Sequence, residues 1–416
     1  MSSDPVDQPV EGQDEPVHQI LPLDDGVTAP WGFSAGGVTA GLKGSGRPDM
    51  AIVVADDVAT ASAVFTANRI QAAPVTVSRE HLLATGGRAR AVVLNSGSAN
   101  VCCGPDGLQL ARDAAAAAAE ALGCATEEVL LCSTGVIGEP IPAQPYLDGI
   151  APLVAAADPN GGLDAAEAIM TTDLVSKESA VHVTDDEGGS ATIGGMCKGS
   201  GMIAPSLATM LAVVTTDAPL DPLVADGMLR RAVEATFNRV SVDGVISTND
   251  TIVLLASGTA VTPPSPTAIE AGLHAVLADL AIQMVRDGEG AEHVIHLTVS
   301  GASTEADALA VARKVGDDNL VKTAFAGADP NWGRIIAAVG AAGVDIDPTG
   351  IEIAIAGHVV CRGGVKADFD RAAASEAMQA PDVDVRIDLG LGTERATFIT
   401  CDLTHGYITI NAEYTT

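Results

Sequence analysis

Apolar positions recur with two different periods along this chain, and together they predict a mixture of helices and strands. Apolar residues at helical spacing, or runs of alanine, predict helices over residues 108–122, 223–236 and 268–286. Alternating or β-branched apolar residues predict strands. These strands cover residues 89–94, 129–131, 210–216, 294–299, 351–355 and 383–389. Both patterns occur in both halves, which indicates the α/β or α+β class without selecting a topology.

The same alternation predicts a last strand close to the carboxyl end. Tyr407, Thr409 and Asn411 alternate with Ile408 and Ile410. In a strand, successive side chains point to opposite faces, so the isoleucines would be buried and the other face would be polar. We therefore expect Asn411 to face a site.

The amino-terminal segment differs from the rest of the chain in composition. Residues 1–25 are rich in acidic residues, proline and glutamine, and they lack the basic and apolar regions of a signal peptide. This composition predicts a disordered acidic tail.

The whole chain of 416 residues also has no run of 18 apolar residues, so no transmembrane helix and no membrane partner are expected.

The charge balance is unusually acidic. The chain has 54 acidic and 22 basic residues, a net charge of −32. Such a surface repels phosphate backbones, which argues against nucleic acid as a partner. Self-repulsion of this size destabilises a compact chain unless salt screens it, so a halophilic cytoplasm is one suitable setting. An ordinary acidic enzyme has the same composition, and both interpretations stay open.

The cysteines and histidines do not suggest a metal centre. The seven cysteines have no C-x-x-C spacing, and the eight histidines form no H-x-x-x-H pattern. Buried free thiols in a reducing cytoplasm explain the cysteines, and Cys197 is interpreted as structural. His293 and His296 lie in an apolar strand-like run and are also interpreted as structural. We expect a cytoplasmic protein without a metal.

The most informative segment is residues 198–217. A turn rich in glycine, serine and proline leads through Ala208 to Thr209 and then to an apolar strand. Attack by the Thr209 hydroxyl on the Ala208 carbonyl would cleave the chain and leave Thr209 with a free α-amine. The pKa of such an amine is about 7.7–8.0, so near neutral pH it can act as the general base for its own hydroxyl. Thr209 is our candidate nucleophile.

A different interpretation of this segment is a dinucleotide site. Residues 199–204 fit the pattern G-x-G-x-x-A, and Asp217 lies near the distance expected of a ribose-binding acid. The pattern requires a helix directly after the glycines, whereas Pro205 and a predicted strand follow here. An uncleaved ligand-binding protein, with Thr209 as a core residue, therefore remains the weaker alternative.

Segments spread over almost the whole chain resemble the ornithine acetyltransferase family. Besides 198–217, they are residues 26–30, 64–69, 95–97, 132–138, 168–173, 287–291, 321–324, 329–334 and 411–416. The resemblance implies layered mixed β-sheets flanked by helices, in a sandwich like that of N-terminal-nucleophile enzymes. It also implies self-cleavage into an α chain, 26–208, and a β chain, 209–416, whose interlocked halves form a heterotetramer of two α and two β chains.

The resemblance also implies roles for individual residues. Thr134 and Gly135 would form the oxyanion hole, although the local sequence alone favours a simple turn at the end of a strand. Lys198 would bind the substrate carboxylate, and Glu289 would bind its ammonium group or move protons. Thr171 or Thr172, Thr209, Asn411 and Thr416 would complete the amino-acid site.

The implied reaction moves acetyl from N-acetylornithine to glutamate through an acetyl-threonine, in arginine biosynthesis. No cofactor is implied, although acetyl-CoA is a possible second donor. The alternative enzyme is an N-terminal-nucleophile aminopeptidase or amidase, which passes the acyl group to water.

The chain departs from the family pattern at Val245 and Ile246, where an acidic and a small or hydroxyl residue are usual. Substrate preference is therefore less firmly implied than the type of reaction.

Overall fold

The computed structural model describes residues 18–204 and 210–413, and its strands and helices alternate along the chain. The strands are β1 (His18–Leu23), β2 (Phe33–Val38), β3 (Met50–Phe65), β4 (Arg88–Ser98), β5 (Val129–Val136), β6 (Lys177–Asp185), β7 (Ser190–Lys198), β8 (Leu211–Thr216), β9 (Val240–Ser241), β10 (Thr251–Ala256), β11 (Val294–Ala302), β12 (Glu352–Ile355), β13 (His358–Arg362), β14 (Val365–Lys366), β15 (Asp382–Asp388) and β16 (Glu394–Cys401). The α-helices are α1 (Ala73–Thr85), α2 (Gly104–Leu122), α3 (Ala143–Ala155), α4 (Gly162–Ala168), α5 (Pro222–Ala235), α6 (Pro266–Arg286), α7 (Glu305–Gly316), α8 (Asn319–Ala326), α9 (Trp332–Gly340), α10 (Arg371–Ala377) and α11 (His405–Glu413).

The strands form two mixed sheets, which confirms the predicted fold class. In the first sheet the order is β1-β6-β7-β8-β10-β3-β4-β5, and β2 also pairs with β3. Its β8–β10 and β4–β5 pairs are parallel and the others are antiparallel. The second sheet has the order β14-β13-β12-β15-β11-β16-β9. Mixed sheets covered by helices are the layered architecture expected from the sequence.

The order of the first sheet interleaves the two halves of the chain. Strands β8 and β10, which follow residue 209, lie between β7 and β3, which precede it. Parallel strands β8 and β10 are connected through helix α5. The backbone hydrogen bonds of β8 and β10 therefore link segments on both sides of the predicted cleavage point.

Helices cover both sheets. Helix α6 packs on β6 and β7, and its core extends to Val294 and Cys401 of the second sheet. Helices α1 and α2 pack on β5, and α3 packs on α2, β2 and β3, whereas α7 and α9 lie over the second sheet. By length and composition, α6 is the one helix within the described ranges that could cross a membrane, with a mean hydropathy of 1.4. Its Leu277, Leu280 and Met284 are buried in the protein core, as in a core helix.

Most predicted elements are confirmed, but the predicted last strand is wrong. Residues 405–413 form helix α11, and Thr404 caps its start. The Thr404 hydroxyl accepts a hydrogen bond from the Gly406 N–H at 3.0 Å, as an N-cap residue does. Tyr407 and Asn411 are four residues apart, so they share a face in a helix as they would in a strand.

The predicted disordered tail is also too long at its carboxyl end. Residues 18–23 form β1, which pairs antiparallel with β6 from His18 opposite Asp185 to Leu23 opposite Ala180. An edge strand is held mainly by backbone hydrogen bonds, so it does not need a strongly apolar sequence. The prediction for residues 1–17 lies outside the described residues.

Candidate functional site

The predicted site residues that the structure describes line one small cavity of about 140 Å³. They are Thr134, Gly135, Thr171, Thr172, Lys198, Glu289 and Asn411. The first five precede residue 208 and the last two follow residue 209, so both halves of the chain build the cavity. Ala208, Thr209 and Thr416 lie outside the described residues, so their roles stay predictions.

Lys198 is the centre of the polar contacts in this cavity. It ends strand β7, and 2% of its surface is exposed. Its ammonium group donates to the Thr171 hydroxyl at 2.7 Å and to the Thr134 hydroxyl at 3.4 Å. Of the two adjacent threonines, Thr171 therefore contacts Lys198, and Thr172 lines the cavity beside it. Burial lowers the pKa of Lys198, and the Asp173 carboxylate opposes this effect.

Thr134 and Gly135 lie inside strand β5, which corrects the prediction of a turn at this point. Strand β5 continues to Val136, and its pairing with β4 becomes irregular at Gly97 and Ser98. Gly135 has a φ of +130°, and a Cβ there would lie 2.6 Å from both the Gly97 carbonyl oxygen and the Ser98 nitrogen. Only glycine fits this close approach of two backbones. A bulge of this kind redirects backbone groups next to a site.

Glu289 reaches the cavity from the loop after α6. Its carboxylate accepts a hydrogen bond from the Asn411 side chain at 2.7 Å, and its backbone N–H donates to the Ser200 carbonyl at 2.8 Å. A Cβ on Gly201 would lie 2.5 Å from the Glu289 carboxylate. Gly201 is therefore required so that the carboxylate can approach the backbone.

These contacts argue against a dinucleotide site at residues 199–204. In such a site the backbone N–H groups of the loop bind phosphate. Here the N–H groups of Met202 and Ile203 donate to the Asp243 carboxylate at 2.5 and 2.9 Å. The loop already holds a protein carboxylate, which would repel a phosphate group.

Asp243 also explains why the family departure at residues 245 and 246 leaves the cavity intact. Its carboxylate accepts from the Tyr407 hydroxyl at 3.3 Å and from the Val245 N–H at 3.2 Å, so the backbone of this turn is fixed without the usual acidic residue. Burial raises the pKa of Asp243. Val245 lines the cavity, whereas Ile246 does not.

Asp250 lies next to the start of the predicted β chain. Its Oδ1 accepts a hydrogen bond from the Met210 N–H at 3.0 Å, and Met210 directly follows Thr209 in the chain. Its Oδ2 is buried and makes no hydrogen bond within the part of the chain that the structure describes. Burial raises the pKa of Asp250 well above its ordinary value. Sequence reasoning missed this residue, because only the fold brings it to Met210, directly before β8.

Sequence reasoning also missed a group of buried charges behind Lys198. Asp173, Lys177 and Asp287 are buried with it. Lys177 donates to Asp173 at 2.7 Å and to Asp287 at 2.5 Å. Burial acts to raise the pKa of Asp173, but Lys198 and Lys177 outweigh it and hold that pKa below its usual range. Asp173 and Asp287 lie inside motifs that carry the family resemblance, which was the available signal.

A larger cavity of about 730 Å³ adjoins the first one and shares Gly135 and Thr171 with it. Lys43 and Arg47 of the glycine-rich loop after β2 line it, together with apolar residues such as Met170 and Leu174. Burial lowers the pKa of Lys43 to about 8. Its ammonium group donates to the carbonyls of Pro48 and Met170 at 3.0 and 2.6 Å, so it ties this loop to the segment after α4.

Comparison with known proteins identifies relatives along nearly the full length. The ArgJ family profile matches residues 34–416. A protein named arginine biosynthesis bifunctional protein ArgJ from Mycolicibacterium paratuberculosis is 46% identical over 399 residues, which cover 94% of this chain and 96% of the relative. The protein of the same name from Thermobifida fusca is 47% identical over 391 residues, which cover 94% of this chain and 100% of the relative.

A solved structure is also similar in sequence to part of the chain. It is ornithine acetyltransferase complexed with ornithine, from Mycobacterium tuberculosis, at 44% identity. The match covers 46% of this chain and 100% of that chain, with a TM-score of 0.42. Since the family profile and relatives at 46–47% identity span nearly all of the sequence, the chain belongs to the ArgJ family.

Proposed function

We propose that this protein transfers an acetyl group from N-acetylornithine to glutamate, giving ornithine and N-acetylglutamate in arginine biosynthesis. The observation that carries this proposal is the cavity in which Lys198, Thr171, Glu289 and Asn411 meet Thr134 and Gly135. A cation, hydroxyl groups and a carboxylate in the wall of one small cavity suit an amino acid that carries both a carboxylate and an ammonium group. The names of the relatives support the same pathway.

In the proposed reaction, Thr209 is the nucleophile. Its hydroxyl oxygen attacks the acetyl carbonyl of N-acetylornithine, and its own α-amine accepts the hydroxyl proton. Thr134 and Gly135 stabilise the negative oxygen of the tetrahedral intermediate. The bond from the carbonyl carbon to the ornithine nitrogen then breaks, and that nitrogen takes the proton from the α-amine. Acetyl-Thr209 and ornithine result.

The second half of the reaction reverses these steps with glutamate. The glutamate amine attacks acetyl-Thr209, its proton passes to the Thr209 oxygen through the α-amine, and N-acetylglutamate leaves. In this proposal Lys198 with Thr171 binds the α-carboxylate of both amino acids. Glu289, held by Asn411, binds the side-chain ammonium of ornithine. The aminopeptidase alternative is not favoured, because the relatives at 46–47% identity are named as arginine biosynthesis proteins.

Self-cleavage between Ala208 and Thr209 is part of this proposal, since only cleavage frees the α-amine. We expect purified protein to contain fragments 1–208 and 209–416, and Thr209→Ala to remain one chain. The interleaving of β8 and β10 between β7 and β3 supports fragments that stay associated after cleavage. Two α and two β chains per molecule remain a proposal, which native mass spectrometry tests.

Kinetics and mass spectrometry test the acetyl transfer. We expect parallel double-reciprocal lines and, when glutamate is withheld, a 209–416 fragment heavier by one acetyl group. Thr209→Ala is the control and should show neither acetylation nor turnover. Intersecting lines without an acyl-enzyme would reject the covalent route. Release of free acetate in place of N-acetylglutamate would favour the hydrolase alternative.

The larger cavity favours acetyl-CoA as a second donor. Its 730 Å³ exceed what an acetylated amino acid needs, it borders Gly135 and Thr171, and Arg47 with Lys43 provides positive charge for phosphate groups in an otherwise acidic protein. We expect acetylation of glutamate by acetyl-CoA, with a higher KM for this donor in Arg47→Ala and an unchanged KM for N-acetylornithine. No turnover with acetyl-CoA would restrict the protein to the first donor.

A further inference from the structure

Four buried charged side chains form a row that ends at Lys198. From the far end, the order is Asp287, Lys177, Asp173 and Lys198, so the two signs alternate. The Lys177 and Asp173 side chains are 0% exposed, Lys198 is 2% and Asp287 is 5%. The successive N–O distances are 2.5, 2.7 and 3.8 Å. Lys198 then contacts the hydroxyl groups of Thr171 and Thr134 in the cavity.

Backbone hydrogen bonds fix the two carboxylates of this row. Asp173 accepts from the N–H groups of Gly199 at 2.7 Å and Thr171 at 2.9 Å. Asp173 thus holds both the residue after Lys198 and the threonine that Lys198 contacts. Asp287 accepts from the Leu174 N–H at 3.1 Å. Lys177 joins the two carboxylates, and it also donates to the Val175 carbonyl at 3.2 Å.

Fold stability alone does not explain such a row. Removing charges from water costs several kcal/mol per ion, and apolar replacements of buried ion pairs are often neutral or stabilising. Lys177 lines neither cavity, yet it is paired with a carboxylate on both sides and fully buried. Its position suits a residue that acts through Asp173 on Lys198.

We propose that Lys177 is a positioning residue that holds Asp173 beside Lys198 and, through its own charge together with that of Asp173, sets the charge state of Lys198. The proposal rests on the proposed function only in giving Lys198 a substrate to bind. The charged groups that act on Lys198 are Asp173, Lys177, Glu289, Asp250 and, from the loop after β2, Lys43. Asp287 joins this group through its ion pair with Lys177, and neither residue lines the amino-acid cavity.

The proposal predicts shifts of opposite sign from two neighbouring substitutions. Burial already lowers the pKa of Lys198, and the positive charge of Lys177 lowers it further. Lys177→Met removes a positive charge, so the pKa of Lys198 should rise. Asp287→Asn removes a negative charge and keeps an acceptor for the Leu174 N–H, so the same pKa should fall.

NMR titration of the lysine side chains tests these shifts on the full-length protein as purified. The chain has six lysines, so protein with ¹³C-labelled lysine gives few signals, and Lys198→Arg assigns the relevant one. Lys177→Arg keeps the charge and should leave the titration of Lys198 near that of the wild type. Arg286→Met and Asp382→Asn form the matched control, because they break a half-exposed ion pair one residue from Asp287, and they should cause no shift.

The outcomes separate this proposal from a structural role and from the proposed function. A rise in Lys177→Met with a fall in Asp287→Asn supports the proposal, whether or not the protein transfers acetyl. Shifts of the same sign, or none, in variants that keep a cooperative melting transition overturn it. If Lys177→Met does not fold, the other two variants test the proposal. It then requires that the pKa of Lys198 is lowered in Asp287→Asn and unchanged in Lys177→Arg.

Discussion

At the scale of single residues, the cavity depends on positions where only one side chain is possible. Gly135 and Gly201 leave space that a methyl group would fill, the first against the backbone of β4 and the second against the Glu289 carboxylate. The Lys198 ammonium group has a fixed position because it is buried and donates to Thr171 and Thr134, whereas the ammonium group of an exposed lysine would be solvated. Each of these roles depends on a neighbour that is distant in the sequence.

Replacing Gly135 by alanine should damage the site more than the fold. The added methyl group would push β5 away from Gly97 and Ser98 and displace the proposed oxyanion donors, so kcat should fall by about 100-fold or more. The unfolding free energy should fall by about 1–3 kcal/mol because of the positive φ and the close approach. Steady-state kinetics and urea unfolding measure the two effects.

Gly123→Ala is the matched control for this substitution. Gly123 has a φ of +69° at the end of α2, and a Cβ there would meet nothing within 4 Å. It should lower stability by about 1 kcal/mol and leave kcat unchanged. Equal activity in Gly135→Ala and the wild type would show that the backbone at Gly135 takes no part in catalysis.

At the scale of elements, helix α11 brings Tyr407 and Asn411 to the cavity. Tyr407 donates to Asp243 and Asn411 donates to Glu289, so one face of the helix contacts two acidic residues of the site. The helix begins beside Thr404, whose hydroxyl accepts from Gly406 and donates to the Gly290 carbonyl at 2.6 Å. This one side chain fixes the start of the helix to the loop that carries Glu289.

Substitution of Thr404 should therefore affect substrate binding through the helix. Thr404→Val removes the cap and the bond to Gly290, which should cost about 1 kcal/mol of stability and raise the KM for N-acetylornithine several-fold. Thr304→Val removes the equivalent cap of α7, where the Thr304 hydroxyl accepts from the Asp307 N–H. This control should lose similar stability with an unchanged KM. The same KM in both variants would mean that α11 does not position Asn411.

At the scale of the whole molecule, two features stand out: the net charge of −32 and a first sheet in which strands from both halves of the chain are interleaved. The ion pairs at the surface are few relative to the acidic residues, and exposed pairs contribute little. We therefore expect repulsion between carboxylates to be the largest electrostatic interaction at the surface. The halophilic setting and the cytoplasmic location both stay predictions.

Salt should stabilise the protein if this repulsion is large. Screening shortens the reach of charges from about 30 Å at 0.01 M to about 3 Å at 1 M salt. The Tm measured by calorimetry should therefore rise steadily as KCl increases over this range. A flat or falling Tm would remove the halophilic interpretation and leave the proposed activity unaffected.

The sequence by itself determined the elements and the residues of the candidate site. Helices such as α2 and α6 were predicted because their apolar spacing and alanine content are local properties. The motifs around Thr134, Thr171, Lys198 and Glu289 named side chains that the structure then places in one cavity. The family resemblance named these residues, whereas the local pattern of the sequence alone left their roles open.

Only the tertiary structure decided which side chains meet and which are buried. Residues 405–413 alternate like a strand, yet they form a helix that Thr404 caps and whose Tyr407 and Asn411 bind Asp243 and Glu289. Sequence reasoning assigned no role to Asp173, Lys177 and Asp287, and their burial as a group depends on bringing Asp287 to Lys177, 110 residues earlier in the chain. The burial of a side chain and its interactions with other charges depend on residues that are close in space but distant in the chain. The local sequence therefore does not reveal them.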